Sequence, residues 1–181
     1  ARPTILVTGG SLGARTLNEA LMAATDQLEG AQGQVLWQCG KLYQHECQAS
    51  PTAVLPNVKV QPFLDRMDLA YAAADIVICR AGALTIAELC LLGKAAILVP
   101  SPNVAEDHQT KNARALADRQ AALLVTDAAA RNTLITTALR LLADADQQKA
   151  LGEAARNMAH PGATEAIARE VIRLANQKLK A

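Results

Sequence analysis

Short apolar runs alternate along this chain with longer segments in which apolar residues recur at three- and four-residue spacing. Six strand candidates stand out, at 4–8, 34–38, 57–61, 76–79, 95–99 and 122–125. Helical patterns fill the gaps at 14–28, 42–49, 65–73, 84–92, 108–117 and 131–143. After Val125 the strands stop, and two further helical segments follow at 146–158 and 163–179, separated by Pro161-Gly162. Regular strand–helix alternation predicts an α/β protein with a doubly wound parallel sheet of about six strands, closed by C-terminal helices. The last helix carries Ala166, Ile167, Val171, Ile172, Leu174 and Ala175 on or near one side, a stripe that suits packing on this domain or on a neighbouring one.

The stretch from Asp75 to Pro100 shows the logic most clearly. Ile76–Cys79 and 95–99 are apolar without alternation, as strands covered on both faces are. Between them Leu84, Ile86, Ala87, Leu89, Leu91 and Leu92 leave few polar positions besides Thr85, Glu88 and Cys90. Gly93 stands where a helix ends in a left-handed residue before the next strand. The segment is a βαβ unit whose loop, 80–83, falls at the C-terminal edge of the sheet, where open α/β sheets bind ligands.

Composition narrows the field of functions. The 181 residues carry a formal net charge of +1 and 2% aromatics, so neither a nucleic-acid field nor an aromatic stacking platform is expected. Four cysteines without C-x-x-C spacing read as reduced thiols of a cytoplasmic protein. No apolar run approaches the roughly 20 residues of a membrane span, and no signal peptide opens the chain. It begins without Met and reaches a strand almost at once, which fits a piece of a longer protein.

Three polar loops converge on the predicted edge. Gly9, Gly10, Ser11 and Gly13 form a strand-to-helix turn, where backbone N–H groups and the helix dipole favour a diphosphate. The competing reading is a tight turn with Ser11 as the helix N-cap. The spacing is neither G-x-G-x-x-G nor a P-loop, and no acidic residue closes the second strand at Gln38-Cys39-Gly40, which argues against a dinucleotide site. Gly82 with Ala83, Leu84 and Thr85 opens a second helix near the first, and Glu88 is placed to accept from a vicinal diol. Its competing reading is a capping box over 85–88, with Thr85 as the cap and Glu88 reaching back. The third loop, from Glu106 to Asn112, brings His108, Gln109 and Asn112, whose donors and acceptors suit sugar hydroxyls. Asp144 and Asp146 have the spacing of a metal-binding pair but lie away from this edge, and His45 and His160 have no partners at metal spacing.

Four segments in order carry a resemblance: 9–14, 63–67, 79–88 and 107–113. Together they resemble the MurG family of bacterial undecaprenyl-diphospho-muramoylpentapeptide N-acetylglucosaminyltransferases, and specifically its C-terminal, donor-binding domain, over the whole chain. The resemblance implies a Rossmann-like half of a B-type glycosyltransferase fold, spanning 1–181 with a helical tail from 144, the N-terminal acceptor domain being absent. It implies inverting transfer of GlcNAc from UDP-GlcNAc to the muramoyl C4 hydroxyl of lipid I, giving lipid II, without cofactor or metal. It places the uracil at the backbone of Leu64, the diphosphate and nucleoside along Ala83 to Thr85, and the ribose at Glu88, with Ile86 and Ala87 also among the substrate-binding residues. Ser11 is assigned to phosphate, and Gln109 with His108 to the GlcNAc ring. No residue here is a convincing general base, which the family supplies from the missing half. Lipid I and the cytoplasmic face of the membrane would likewise be met through that half, and nucleic acid has no part. A donor-binding subunit of a two-chain GlcNAc transferase, an epimerase-like fold and a non-catalytic UDP-sugar-binding module are the alternatives, the first separated by the length of the natural chain.

Overall fold

The computed structural model describes residues 2–102 and 107–178. Glu106 and Leu179, named above, lie outside the described residues. Six strands form one parallel sheet: β1 (Thr4–Thr8), β2 (Gln34–Gln38), β3 (Val58–Gln61), β4 (Ile76–Cys79), β5 (Ala95–Leu98) and β6 (Leu123–Leu124). Their spatial order is β3-β2-β1-β4-β5-β6. The order reverses between β1 and β4, and loops leaving those two strands diverge to open a crevice there.

Alternation along each strand assigns its side chains to the two faces. Ile5, Val7, Ile76, Ile78, Ala95 and Ile97 enter one core, while Leu6, Val77, Cys79, Ala96 and Leu98 enter the other. The first core is covered by α1 (Arg15–Met22), α2 (Thr25–Glu29), α3 (Gln44–Gln48) and α7 (Asp127–Leu142). On the opposite face lie α4 (Met67–Ala73), α5 (Ala83–Leu92), α6 (His108–Ala117) and part of α8 (Ala145–Asn157). Register brings Gln61, Gln38, Thr8, Cys79, Leu98 and Leu124 level across the sheet, so all six strands deliver their loops to the same edge.

Several predicted boundaries move, each for a local reason. The helix expected over 14–28 is two helices. Thr52 donates its hydroxyl to the Leu21 carbonyl at 3.0 Å and meets the Thr25 hydroxyl at 2.7 Å, so side chains satisfy groups that a continuous helix would pair internally. The helix expected from Arg131 begins at Asp127, because the Thr126 side chain accepts from the Ala129 N–H and caps it. Gly93 does adopt the left-handed conformation, with φ of 62°. The Asp144 carboxylate caps α8 by accepting from the Gln147 N–H at 2.8 Å, which accounts for it without a metal. The final helix, α9 (Ala163–Lys178), leaves Ile167, Val171, Ile172 and Leu174 exposed. Among the described residues no helix is long and apolar enough to cross a membrane.

Candidate functional site

Two adjoining cavities occupy the C-terminal edge at the β1/β4 crevice. The first, of about 330 Å³, lies between the ends of β1, β2 and β4, the segment at Phe63 and Leu64, and the facing sides of α4 and α5. The second, of about 480 Å³, runs along the turn from Gly9 to Thr16 toward Ser101 and Gln109. Gly9, Gly10, Ser11 and Arg80 border both.

The first turn is shaped by what its glycines permit. A Cβ on Gly9 would strike the backbone of Gly13 and Ala14, so this turn can fold back only on a bare Cα. Gly13 has a φ of 78° and packs against Gly40, where an added Cβ would stand 2.5 Å from the Gly13 Cα. The N-cap of α1 is Ala14, with no side-chain cap, so the Ser11 N-cap reading fails: Ser11 lies in the turn itself and faces both cavities. Nor is there an acidic residue in the first turn of α1. The helix therefore supplies no acid of its own to its leading N–H groups, and the carboxylate that reaches its first turn is that of Asp127, at Thr16.

The N-cap of α5 is Gly82, again without a side-chain cap, and its first turn carries no acid. The capping box over 85–88 is therefore overturned, because Thr85 already sits inside the helix and cannot act as its cap. Glu88 is exposed, and its carboxylate accepts instead from the Tyr71 hydroxyl at 3.0 Å. Both residues line the first cavity. Burial, reinforced by the neighbouring Glu88, pushes the Tyr71 phenol well above its ordinary pKa, so it remains a donor. Burial likewise raises the Cys79 thiol to about 12, which leaves it un-ionised and a poor nucleophile.

The sites proposed from sequence divide into two groups. Gly9, Gly10, Ser11, Leu64, Gly82, Thr85 and Glu88 border the first cavity, and Gly13 and Gln109 border the second. Ala83, Leu84, Ile86, Ala87, His108 and Asn112 border neither, and Leu84 points outward with 82% exposure. Asn112 donates to the Ala81 carbonyl at 3.1 Å, which ties α6 to the loop ahead of α5. The side-chain carbonyl of Gln109 accepts from the Ser101 N–H at 2.9 Å, which ties α6 to the segment after β5.

Sequence reasoning overlooked six residues that organise this edge. Buried Gln38 accepts from the Thr8 hydroxyl at 2.8 Å and donates to the carbonyls of Gly10 at 2.9 Å and Pro62 at 3.2 Å. It fastens the first turn to the segment that precedes Leu64. Arg80 donates from Nη1 to the carbonyls of Val99 and Pro100 and pairs with Asp127 at 2.5 Å. Thr16 donates to the other oxygen of Asp127 at 3.0 Å, so β4, β5, α7 and α1 meet in one network. Tyr71, bonded to Glu88, is the sixth. The signals were slight: a glutamine where an acid was sought, an arginine after a strand, a tyrosine in an alanine-rich helix.

Comparison with known proteins bears on the same region. The family model described as glycosyltransferase family 28 C-terminal domain matches residues 4–168. A protein of Bacteroides fragilis named UDP-N-acetylglucosamine--N-acetylmuramyl-(pentapeptide) pyrophosphoryl-undecaprenol N-acetylglucosamine transferase is 49% identical over 97% of this chain and 47% of its own length. The protein of that name from Bacteroides thetaiotaomicron is 50% identical over 96% of this chain and 48% of itself. The crystal structure of Acinetobacter baumannii MurG superposes with a TM-score of 0.84 at 37% identity, over 96% of this chain and 50% of that one. A Staphylococcus aureus MnaA–UDP structure superposes at 0.73 with 12% identity, over 97% of this chain and 47% of that one, a likeness of fold alone. The chain spans about half the length of the curated relatives it matches.

Proposed function

The chain belongs to the glycosyltransferase family 28 C-terminal domains, and from that premise we propose that it is the UDP-GlcNAc-binding half of an inverting transferase that converts lipid I to lipid II. The observation that carries the reading is the sheet-edge cavity itself. The N-terminus of α5, with no side-chain cap and no acid in its first turn, and the glycine turn ahead of α1 both border it, as does the Glu88 carboxylate farther along α5. That arrangement supplies donors for a diphosphate and an acceptor for a sugar diol at neighbouring points, as a nucleotide-sugar requires. The relatives named as UDP-N-acetylglucosamine transferases share about half of the sequence across this region.

In this reading the uracil lies beside Leu64, the ribose hydroxyls meet Glu88, and the diphosphate lies between Ser11 and the first turn of α5. The GlcNAc ring extends into the second cavity toward Gln109, with His108 near it. As the sugar leaves, the departing UDP gains negative charge, and preorganised backbone N–H groups stabilise it without reorganising. They do so here without a divalent metal. The general base that activates the acceptor hydroxyl, the lipid I contacts and the attachment to the cytoplasmic face of the membrane belong to the other half of the protein. This chain alone therefore binds donor and does not turn it over.

Calorimetric titration with UDP tests the reading. Glu88→Gln should cost about 1.5–3 kcal/mol of UDP affinity, the range for a hydrogen bond to a charged group. The thermal midpoint should barely move, since Glu88 is exposed and caps nothing. Affinity in EDTA should equal that in magnesium. Unchanged UDP binding by Glu88→Gln would remove the ribose assignment, and a large loss in EDTA would remove the metal-free one.

A further inference from the structure

The hydrogen bond between Tyr71 and Glu88 joins two helices that are otherwise separate walls of the first cavity. Tyr71 projects from α4, is 5% exposed, and packs with Ala70, Ala74, Val77 and Cys79 in the core under that face of the sheet. Its ring is therefore held in the core while the residue also borders the cavity. Glu88 is the opposite case: an exposed, flexible side chain on α5 that forms no salt bridge among the described residues. A free glutamate carboxylate samples many rotamers, and each ligand that uses it must first arrest it. Here the Tyr71 hydroxyl donates to Oε2 at 3.0 Å. One carboxylate oxygen is thereby anchored to the rigid core, and Oε1 accepts no hydrogen bond among the described residues.

We infer that Tyr71 is a positioning residue that holds Glu88 ready for the ribose diol, and so sets the preference of the site for ribonucleotides over their deoxy counterparts. This deepens the donor-site reading above and rests on it. Tyr71 needs no contact with the nucleotide for this. Its effect is confined to ligands that have a hydroxyl for Glu88 to accept from. A tyrosine that merely walled the cavity would influence every nucleotide alike.

The test uses the 181-residue chain, Tyr71→Phe, Glu88→Ala and the double variant, with UDP and 2′,3′-dideoxy-UDP as probes. Phe keeps the buried ring and leaves behind a carboxylate that is already solvated, so the fold should survive, as a thermal melt will report. Tyr71→Phe should weaken UDP about threefold to tenfold, the scale of one hydrogen bond's net worth, and leave dideoxy-UDP within about twofold. In the Glu88→Ala background the same change should have no effect on UDP, because nothing remains to be positioned. Equal weakening of both probes by Tyr71→Phe, or an undiminished effect in the Glu88→Ala background, overturns the inference. If Glu88→Ala abolishes the preference for UDP and Tyr71→Phe keeps it whole, Glu88 acts unaided and the inference alone fails. If the unmodified chain itself does not distinguish the two probes, the ribose assignment of Glu88 fails, and the role of Tyr71 with it.

Discussion

Replacing Asp127 by Ala should cost about 3 kcal/mol of folding stability, and the figure follows from its surroundings. Its carboxylate is paired with Arg80, and the two side chains are only 23% and 16% exposed. Losing a hydrogen bond between charged partners of this kind costs about 1.5–3 kcal/mol. The Thr16 hydroxyl loses its acceptor at 3.0 Å, worth about 1 kcal/mol. Asp127 is also the first residue of α7, where a negative charge is worth about 0.3–1 kcal/mol. Against these, Arg80 keeps the carbonyls of Val99 and Pro100, so its guanidinium is not orphaned, and water reaches the vacated space. Asp127→Asn keeps an acceptor for Arg80 and loses only the charge, so about 1 kcal/mol is expected. Urea unfolding monitored by the buried Trp37 measures both, and the Ala variant should melt about 6–12 °C lower for a chain of this size. A double-mutant cycle with Arg80→Ala should return a coupling of about 1.5–3 kcal/mol. If Asp127→Ala costs under about 0.5 kcal/mol, the pair behaves as a screened surface bridge, and the claim that it locks the strand ends together is wrong.

Two further outcomes are expected. Gly9→Ala should destabilise the fold by about 1–3 kcal/mol, since its methyl would strike backbone, whereas at Gly82 the nearest atom to a new Cβ is the Thr85 hydroxyl at 3.8 Å, so Gly82→Ala should fold normally but lose UDP affinity at the cavity wall; comparable stability loss in both would contradict this. Under reducing conditions, stability should fall as the pH rises from 9 toward 12: Cys47 and Cys79 titrate near 12 in the folded chain through burial, while their unfolded thiols ionise from about 9 and draw the equilibrium toward unfolding. Urea midpoints at pH 8 and pH 10 should show the drop, Cys79→Ala should reduce it and leave the Cys47 share, and a flat wild-type profile would refute the burial argument.

The sequence by itself determined the six parallel strands, the glycine turns and the polar segments that frame the edge, because these are local properties. Apolar runs select buried strands, Gly93 can adopt a left-handed cap, and strand–helix alternation dictates which end of the sheet carries the loops. The motif string at 79–88 also pointed to the candidate site, since the helix that holds it starts at the crevice. Tertiary structure alone decided how the side chains within that site are shared out. A capping box and a diol acceptor are indistinguishable over 85–88; where α5 begins excluded the box, and the Glu88 carboxylate turned out to meet Tyr71, seventeen residues away on another helix. Gln38 looked like a missing acid until the register set it level with Thr8 and beneath Gly10 and Pro62. Arg80 and Asp127, 47 residues apart, meet only because the order of the sheet brings β4, β5 and the start of α7 to one corner. Local patterning encodes which backbone forms where, while hydrogen-bond partners distant in sequence exist only once the chain has closed.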